Sequence, residues 1–278
     1  MITDLLMALL DSPVMSAAIP PTLAIAIVTA TISVMVLAHR LSFLTVGVSH
    51  STLAGLGMAV LLGLPLLPAA TLFAIAIALF LGMMPERRGI HEDASTGILF
   101  AGSMALGIIL LPLAGTRQVD LFGLLFGDIL TIGPAERSWL WGLGLLILIM
   151  AFLSFRSWWS LAFDPISAAA GGMPASALRL LLYGTIGLTT ILCVKLAGIV
   201  LTAGFMILPA SCAWFWCRSL LRLWLISTAT AILGAMLGLV LSYACDWPTG
   251  PAIVLVLSGT FILSWGLAWL KQRVRRVN

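Results

Sequence analysis

Charged residues are scarce in this chain, and their scarcity excludes an ordinary water-soluble domain. Only 9% of the 278 residues are charged, 62% are hydrophobic, and the mean hydropathy is +1.18. A soluble domain carries roughly 25% charged residues. Apolar runs recur along the whole length of the sequence. The composition therefore predicts an all-α, polytopic integral membrane helical bundle.

The short motifs that would build an active site are also absent. The one His-Glu pair lies in the run His-Glu-Asp-Ala-Ser at 91–95, so there is no HExxH zinc motif. The only lysines, Lys195 and Lys271, do not follow a glycine, which excludes a GxxxxGK[ST] phosphate loop. A GxSxG nucleophile elbow is missing as well. We therefore predict that the chain is not an enzyme, has no cofactor of its own and cannot hydrolyse ATP by itself.

Cysteines are few, and the four present (Cys193, Cys212, Cys217 and Cys245) lie in or beside apolar runs. The middle two are five residues apart, which places them on different sides of a helix. Thiols in apolar surroundings are usually packing residues. We expect neither a disulfide nor a metal site from them.

Apolar runs predict about nine transmembrane helices. Crossing the hydrocarbon core takes roughly 20 helical residues. The segment 180–194 is short by that measure and meets the next segment at Lys195. If these two form one broken helix, the chain crosses eight times instead. The nine predicted spans are residues 14–38, 43–64, 66–84, 96–114, 139–155, 180–194, 196–217, 223–244 and 252–270.

Basic residues favour nine spans over eight. With an external N-terminus, nine spans leave only Arg117, Arg137 and Lys195 outside, so 11 of the 14 Lys and Arg residues are cytoplasmic. Eight spans would put every basic residue after position 217 outside. We therefore expect a cytoplasmic C-terminus with its basic tail near anionic membrane lipids. Because the positive charge lies between spans, we predict no nucleic-acid partner.

Two loops between the predicted spans carry structural signals. In the internal segment 156–179, Asp164 precedes Pro165, which is typical of an N-cap followed by the first helical residue. The glycine pair at 171–172 would end that short cytoplasmic helix. The external loop 117–137 is semi-apolar and rich in glycine. We expect it either to dip into the membrane or to lie along it.

His50 is the most unusual polar residue within a predicted span. It lies about seven residues inside the span, or roughly 10 Å deep at 1.5 Å per residue. Ionisable residues at such depth usually face the bundle interior or a water-filled path. Two interpretations stay open: a ligand or gate of a pathway, or a neutral imidazole that hydrogen-bonds a neighbouring helix.

The remaining ionisable candidates lie at span ends or in loops. His91, Glu92 and Asp93 are at the inner mouth of the fourth span, where they would attract cations or complement the helix dipole. Asp128, in the external loop, is either a local cap or part of an outer cation funnel. His39, at the end of the first span, is interpreted as a solvated boundary residue.

Several short motifs occur in the order in which one protein family has them. They resemble the permease subunits of metal-uptake ABC importers for zinc, manganese or iron, over nearly the whole chain. We therefore treat residues 1–278 as a single transmembrane permease domain. The matching positions are Arg40-Leu41-Ser42 with Ser49, His50 and Gly55; Glu92-Asp93 with 97–100; 125–130; Asp164-Pro165 with Ala168 and Gly172; 201–210; and Thr249-Gly250-Pro251.

The resemblance implies an importer in the bacterial cytoplasmic (inner) membrane that works by alternating access. Two copies of the chain would form the pathway for a divalent metal ion or a metal chelate. A separate ATP-binding ABC subunit would bind ATP and Mg, and an extracytoplasmic metal-binding protein would dock outside. Implied pathway residues are His50 and Asp128, followed at the inner mouth by His91, Glu92 and Asp93. The implied ATPase coupling residues are Asp164, Pro165, Ala168 and Gly172.

One position departs from the family pattern. The family has an aspartate four residues before the histidine, one helical turn away on the same face, where both side chains would meet a divalent cation. Val46 occupies that position here. Either the missing ligand comes from another helix, or no bare cation is held at this point.

Two functions of other classes stay open. A proton-driven secondary transporter would use His50 as its titrating group, although no inverted repeat is visible in the sequence. A membrane assembly subunit without a pathway would tolerate the loss of the aspartate, because function resides in sites rather than in folds.

Overall fold

The computed structural model describes residues 13–84, 92–113, 123, 126–127, 134–217 and 219–277, and this part of the chain is helical without strands. The predicted all-α bundle is confirmed. The helices are α1 (Pro13–Ala38), α2 (Ser42–Leu62), α3 (Leu66–Met83), α4 (Glu92–Leu113), α5 (Pro134–Phe163), α6 (Pro165–Ala170), α7 (Ala175–Trp214), α8 (Leu220–Cys245) and α9 (Thr249–Val277).

Eight helical segments of the described ranges are long and apolar enough to cross a membrane. Each coincides with a predicted span, and only the predicted span 196–217 falls short, as the apolar helix Leu201–Trp214. The fifth span is longer than predicted: it covers Arg137–Phe163 rather than 139–155. The helix continues past Arg156 because aromatic and basic side chains are well accommodated at a membrane interface.

The chain reverses direction within α7, at Gly198. This residue has φ 76° and ψ 172°, a combination that essentially only glycine adopts. Across the bend, Thr190 Oγ1 lies 3.7 Å from Met206 Sδ, whereas sixteen residues of straight helix would separate them by about 24 Å. The helix therefore consists of a first arm, Ala175–Val194, and a return arm, Leu201–Trp214. The return arm is about 21 Å long and crosses only part of a bilayer.

Contacts between distant residues place both ends of α7 at one end of the bundle. The imidazole Nε2 of His39 lies 2.9 Å from the carbonyl oxygen of Trp158, whose indole N–H donates to the carbonyl of Leu178 at 2.9 Å. These contacts join the end of α1, the end of α5 and the beginning of α7. The rings of Trp159 and Trp214, 6.5 Å apart, bring the end of the return arm to the same place. We call this end of the bundle, which is marked by His39, Trp158, Leu178 and Trp214, the basic end.

The C-terminal helix also finishes at the basic end. The indole N–H of Trp216 donates to Ser264 Oγ at 2.6 Å, and the Lys271 ammonium lies 5.5 Å from the centroid of the Trp216 ring. The described chain therefore starts and finishes at opposite ends of the bundle, because the reversal within α7 adds the return arm to the eight longer segments. A single unbroken helix over 175–214 would have reversed the positions of α8 and α9.

Helix α7 is the central element of the bundle, and α4 is a peripheral one. Within the described residues, α7 packs on α1, α2, α3, α5, α8 and α9, whereas α4 packs extensively on α2 and only slightly on α3. The fully buried Trp158, Ile186 and Phe205 belong to the core around α7. The rest of α4 is largely exposed at the surface of a single chain.

Candidate functional site

Helices α2 and α4 approach each other through small residues. Gly47 faces the side chain of Thr96, and the hydroxyl oxygens of Ser51 and Ser103 lie 2.7 Å apart. A Cβ atom placed on Gly107 would lie 2.7 Å from a backbone carbonyl carbon of α2. Small residues allow such close packing between apolar helices. The two helices therefore form one closely packed pair.

His50 lies on a half-exposed face of α2, next to the contact between α2 and α4. It is about 12 Å along the helix from the first residue of α2. Its ring meets Phe100 of α4 edge-on, with centroids 5.0 Å apart and an interplanar angle of 81°. Val46, one turn earlier, is also only partly buried. The face that carries both residues is therefore accessible from outside a single chain.

The described residues do not complete a metal site around His50. No group of three or more His, Cys, Asp or Glu residues that could hold a metal ion occurs in the described part of the chain. The predicted site residues Asp128 and His91 lie outside that part, as does most of the external loop 117–137, so its predicted course is untested. The further His, Cys, Asp or Glu ligands that a three-ligand site would need are therefore not grouped with His50 among the described residues.

Glu92, predicted at the inner mouth, is held by two residues of α7. Its Oε1 atom accepts hydrogen bonds from the guanidinium of Arg179 and from the hydroxyl of Tyr183. The guanidinium carbon also lies 5.3 Å from the centroid of the Tyr183 ring. Asp93, next to Glu92, is exposed. A role of these carboxylates in attracting cations stays a prediction, and Glu92 is engaged within the protein.

His39 is not the solvated boundary residue that we predicted. It is partly buried, donates to the Trp158 carbonyl, and lines a cavity of about 200 Å³ together with Glu92, Arg179 and Tyr183. Burial lowers the pKa of His39 below its usual range, although the Trp158 carbonyl and the charge of Glu92 oppose the shift. Because this pKa is lowered, the His39 imidazole is neutral in the folded protein at neutral pH. The stability of the folded protein that depends on a neutral His39 is lost as the pH falls through the lowered pKa.

The short helix predicted after Asp164 is present as α6. The Asp164 carboxylate accepts the backbone N–H of Ser167 at 3.0 Å and caps the helix, with Pro165 as its first residue. Hydrogen bonding to Ser167 holds the pKa of Asp164 below its usual range. Beyond the helix, Gly172 has φ 80°, which is a left-handed conformation that favours glycine. Local chemistry therefore determines where this helix begins and ends.

Helix α6 exposes one large apolar side chain at the basic end. Ile166 is 82% exposed, whereas Ala168 is 6% exposed and faces the rest of the bundle. The helix follows the candidate span Arg137–Phe163, which at 27 residues and about 40 Å is longer than the roughly 30 Å of a hydrocarbon core. A single exposed apolar side chain is common on protein surfaces, so exposure alone does not assign Ile166 a partner.

The sequence-based prediction missed three residues near these sites. Ile166 was not singled out, although it is the one large apolar residue of a short helix in a loop. Arg179 was used only as a topology marker, and Tyr183 was not considered. Their spacing of four residues places both side chains on one helix face and would have indicated a shared partner.

Comparison with known proteins identifies the family. The model of a family described as the ABC 3 transport family matches residues 11–268 of this chain. The chain belongs to this family. The predicted resemblance to permease subunits of metal-uptake ABC importers is thereby confirmed, and the bundle described above is that of a multi-pass membrane permease.

Similar proteins cover almost the full length of the chain. The manganese import system permease protein ScaB of Streptococcus parasanguinis is 28% identical over 98% of this chain and 97% of its own. The chelated iron transport system membrane protein YfeD of Yersinia pestis is 29% identical, over 91% and 84% respectively. Among solved structures, a chain of PsaBC from Streptococcus pneumoniae in complex with Fab has a TM-score of 0.84 at 26% identity and covers 95% of both chains.

Proposed function

We propose that this chain is the membrane-spanning subunit of an ATP-driven importer of divalent metal ions, manganese or iron and, as a third candidate, zinc. The observation that carries the proposal is the family match over residues 11–268. Two of the similar proteins named above are a manganese permease and a chelated iron permease. The metal therefore passes either bare or as a chelate, by alternating access between two orientations of the helices.

ATP and Mg belong to a separate ABC subunit. The proposal is supported by the absence of a GxxxxGK[ST] loop from the full sequence. We place this partner at the basic end, with the exposed Ile166 of α6 as its contact and with residues 164–172 as the coupling segment. The surplus of basic residues at that end supports a cytoplasmic location in a bacterial inner membrane. A reporter enzyme fused after Asn278 measures this orientation directly.

A pathway through His50 needs ligands from outside one chain. In a homodimer, the accessible faces of two α2 helices would border one pathway, and each would contribute an imidazole. An imidazole suits manganese, iron or zinc, but a cation held for transport needs further oxygen or nitrogen ligands. The second copy and Asp128 are the proposed sources, and an extracytoplasmic metal-binding protein delivers the ion.

The driving force distinguishes this proposal from its alternatives. We expect proteoliposomes that contain the chain and its ABC subunit to accumulate radioactive manganese when ATP is supplied on the ATPase side and the metal-binding protein on the opposite side. A proton gradient without ATP should drive no uptake. Uptake driven by the proton gradient would instead favour a secondary transporter that uses His50. The absence of flux under both conditions would favour a membrane assembly subunit.

Substitutions at His50 and Val46 test the pathway. His50→Ala should lower uptake by roughly tenfold, as the loss of a residue that positions a metal typically does, with little change in stability. Val46→Asp adds a carboxylate one turn from His50 on the same face, and this charge is costly at that depth without a cation. The thermal stability of Val46→Asp should therefore rise with added manganese or zinc.

Val46→Asn is the matched control, because it has the same shape without the charge. Radioactive uptake and thermal midpoints with and without each ion are measured for the three variants. Normal uptake in His50→Ala, combined with metal-independent stability of Val46→Asp, would show that this face does not line the pathway.

A further inference from the structure

Helix α4 is firmly attached to α2 but not to the central helix. The hydroxyl contact between Ser51 and Ser103, at 2.7 Å, joins α2 and α4 midway along the closely packed pair. Phe100 of α4 touches His50 of α2. In the ranges that the structure describes, α4 has no extensive packing contact with α7. Any movement of α4 is therefore passed to the helix face that carries His50.

A side-chain cluster connects α4 to α7 at the basic end. Glu92 is the first residue of α4, and its carboxylate accepts hydrogen bonds from Arg179 and Tyr183. We call these three residues the α4–α7 link. Arg179 lies only seven residues after Gly172, where the segment that follows α6 begins its turn into α7. The link therefore joins α4 to the part of α7 closest to α6.

The end of α5, helix α6 and the beginning of α7 form one packed unit. The indole of Trp158, which is fully buried near the end of α5, donates to the carbonyl of Leu178 at 2.9 Å. Ala168, on the buried side of α6, is 6% exposed. Helix α6 contacts both α5 and α7. A force on α6 therefore reaches Arg179 through covalent neighbours and packed side chains.

We infer that the α4–α7 link transmits movement of α6 to the α2–α4 pair and hence to His50. This inference rests on the proposed function, in which an ATPase acts on α6. Arg179 and Tyr183 are positioning residues in this scheme, because they act through Glu92 rather than on the transported ion. A chain of physical contacts then runs from Ile166 through the link to the face with His50.

The exposure of the ion pair argues that stability is not its main role. The Arg179 and Glu92 side chains are 37% and 33% exposed, and solvent screens ion pairs at such positions. Loss of the pair should therefore change how well ATP turnover and transport are coupled more than it changes folding.

The test uses the complete complex of the chain with its ABC subunit in proteoliposomes. Glu92→Gln, Arg179→Gln and the double variant are compared by manganese taken up per ATP hydrolysed. We expect each single variant to lower this ratio by about tenfold, within the range of coupling energies carried by such contacts. The double variant should also lower it by about tenfold rather than a hundredfold, because both changes break one connection. ATP turnover and thermal midpoints should stay near those of the unchanged complex.

Arg222→Gln is the control, since it removes another exposed arginine, at the beginning of α8. Its uptake per ATP should not change. An unchanged ratio in the Glu92 and Arg179 variants would overturn the link, as would multiplicative losses in the double variant. Uptake and ATP turnover that fall together with the thermal midpoint would also overturn it. If the unchanged complex shows no ATP-driven uptake, the proposed function and the link both fail; coupled uptake that the variants leave intact refutes the link alone.

Discussion

Under the proposed function, Ile166→Ala is expected to weaken the association of this chain with the proposed ABC subunit by about 30-fold and to remove most ATP-driven uptake. A large apolar anchor at the centre of an interface typically contributes about 2 kcal/mol or more, which corresponds to that factor. Alanine is a good helix former and keeps α6 intact. Since Ile166 is 82% exposed in the single chain, its truncation removes little internal packing. The measurement is co-purification with the ABC subunit, followed by uptake.

Ile262→Ala is the matched control for this substitution. Ile262 is 62% exposed and lies within the candidate span Thr249–Val274 of α9, outside the proposed coupling segment. Its truncation should leave association unchanged. Undiminished co-purification of Ile166→Ala would contradict the proposed contact between Ile166 and the ABC subunit.

Ala168→Leu and Gly172→Trp are less direct tests of the same segment. Ala168→Leu overpacks the buried side of α6, and Gly172→Trp strains a residue with φ 80°.

Gly198→Ala is expected to destabilise the folded chain by about 1–3 kcal/mol, because φ 76° with ψ 172° is accessible essentially only to glycine. A valine at the same position should be worse, since its branched side chain restricts the backbone further. The bend holds the return arm of α7 against its first arm, where Thr190 meets Met206. Loss of the bend would separate these arms and expose the centre of the bundle. Thermal unfolding in detergent measures the effect.

Gly259→Ala provides the comparison. Gly259 is a helical residue of α9, and a Cβ atom there would meet nothing within 4 Å. Alanine should therefore be neutral or add about 0.5–1 kcal/mol through its helix preference. Equal thermal midpoints for Gly198→Ala and Gly259→Ala would show that the bend is not required for folding.

The membrane spans and the short helix α6 could be predicted because their signals are local. Hydropathy over some twenty residues indicates a span whatever surrounds it. The cap at Asp164 and the glycine pair after α6 act within a few residues. Charge counting also favoured an arrangement in which α9 finishes at the same end of the bundle as α1, as it does in the structure. It did not reveal how the chain turns at Gly198, and it suggested a full span where the return arm is too short.

The contacts of the candidate site were less predictable. His50 stood out because an ionisable residue in a span is costly, but its contact with Phe100 depends on how α4 lies against α2. Glu92 was identified without its partners Arg179 and Tyr183, which follow it by nearly ninety residues. His39 was predicted to be solvated, because no residue near it in the sequence indicates that it hydrogen-bonds the carbonyl of Trp158.

By itself, the sequence determined that this is a helical membrane permease of the ABC 3 transport family, with most of its passes and one internal helix at the right positions. Tertiary structure alone decided which helix is central, that α4 is joined to α7 through Glu92, and that Ile166 remains uncovered. The physical reason is that lipid, rather than water, surrounds the helices of a membrane protein. In a bilayer both the lipid-facing and the buried sides of a helix are apolar, so periodicity does not reveal which side packs. Small residues and buried polar contacts select the neighbours, and their partners are distant in the sequence.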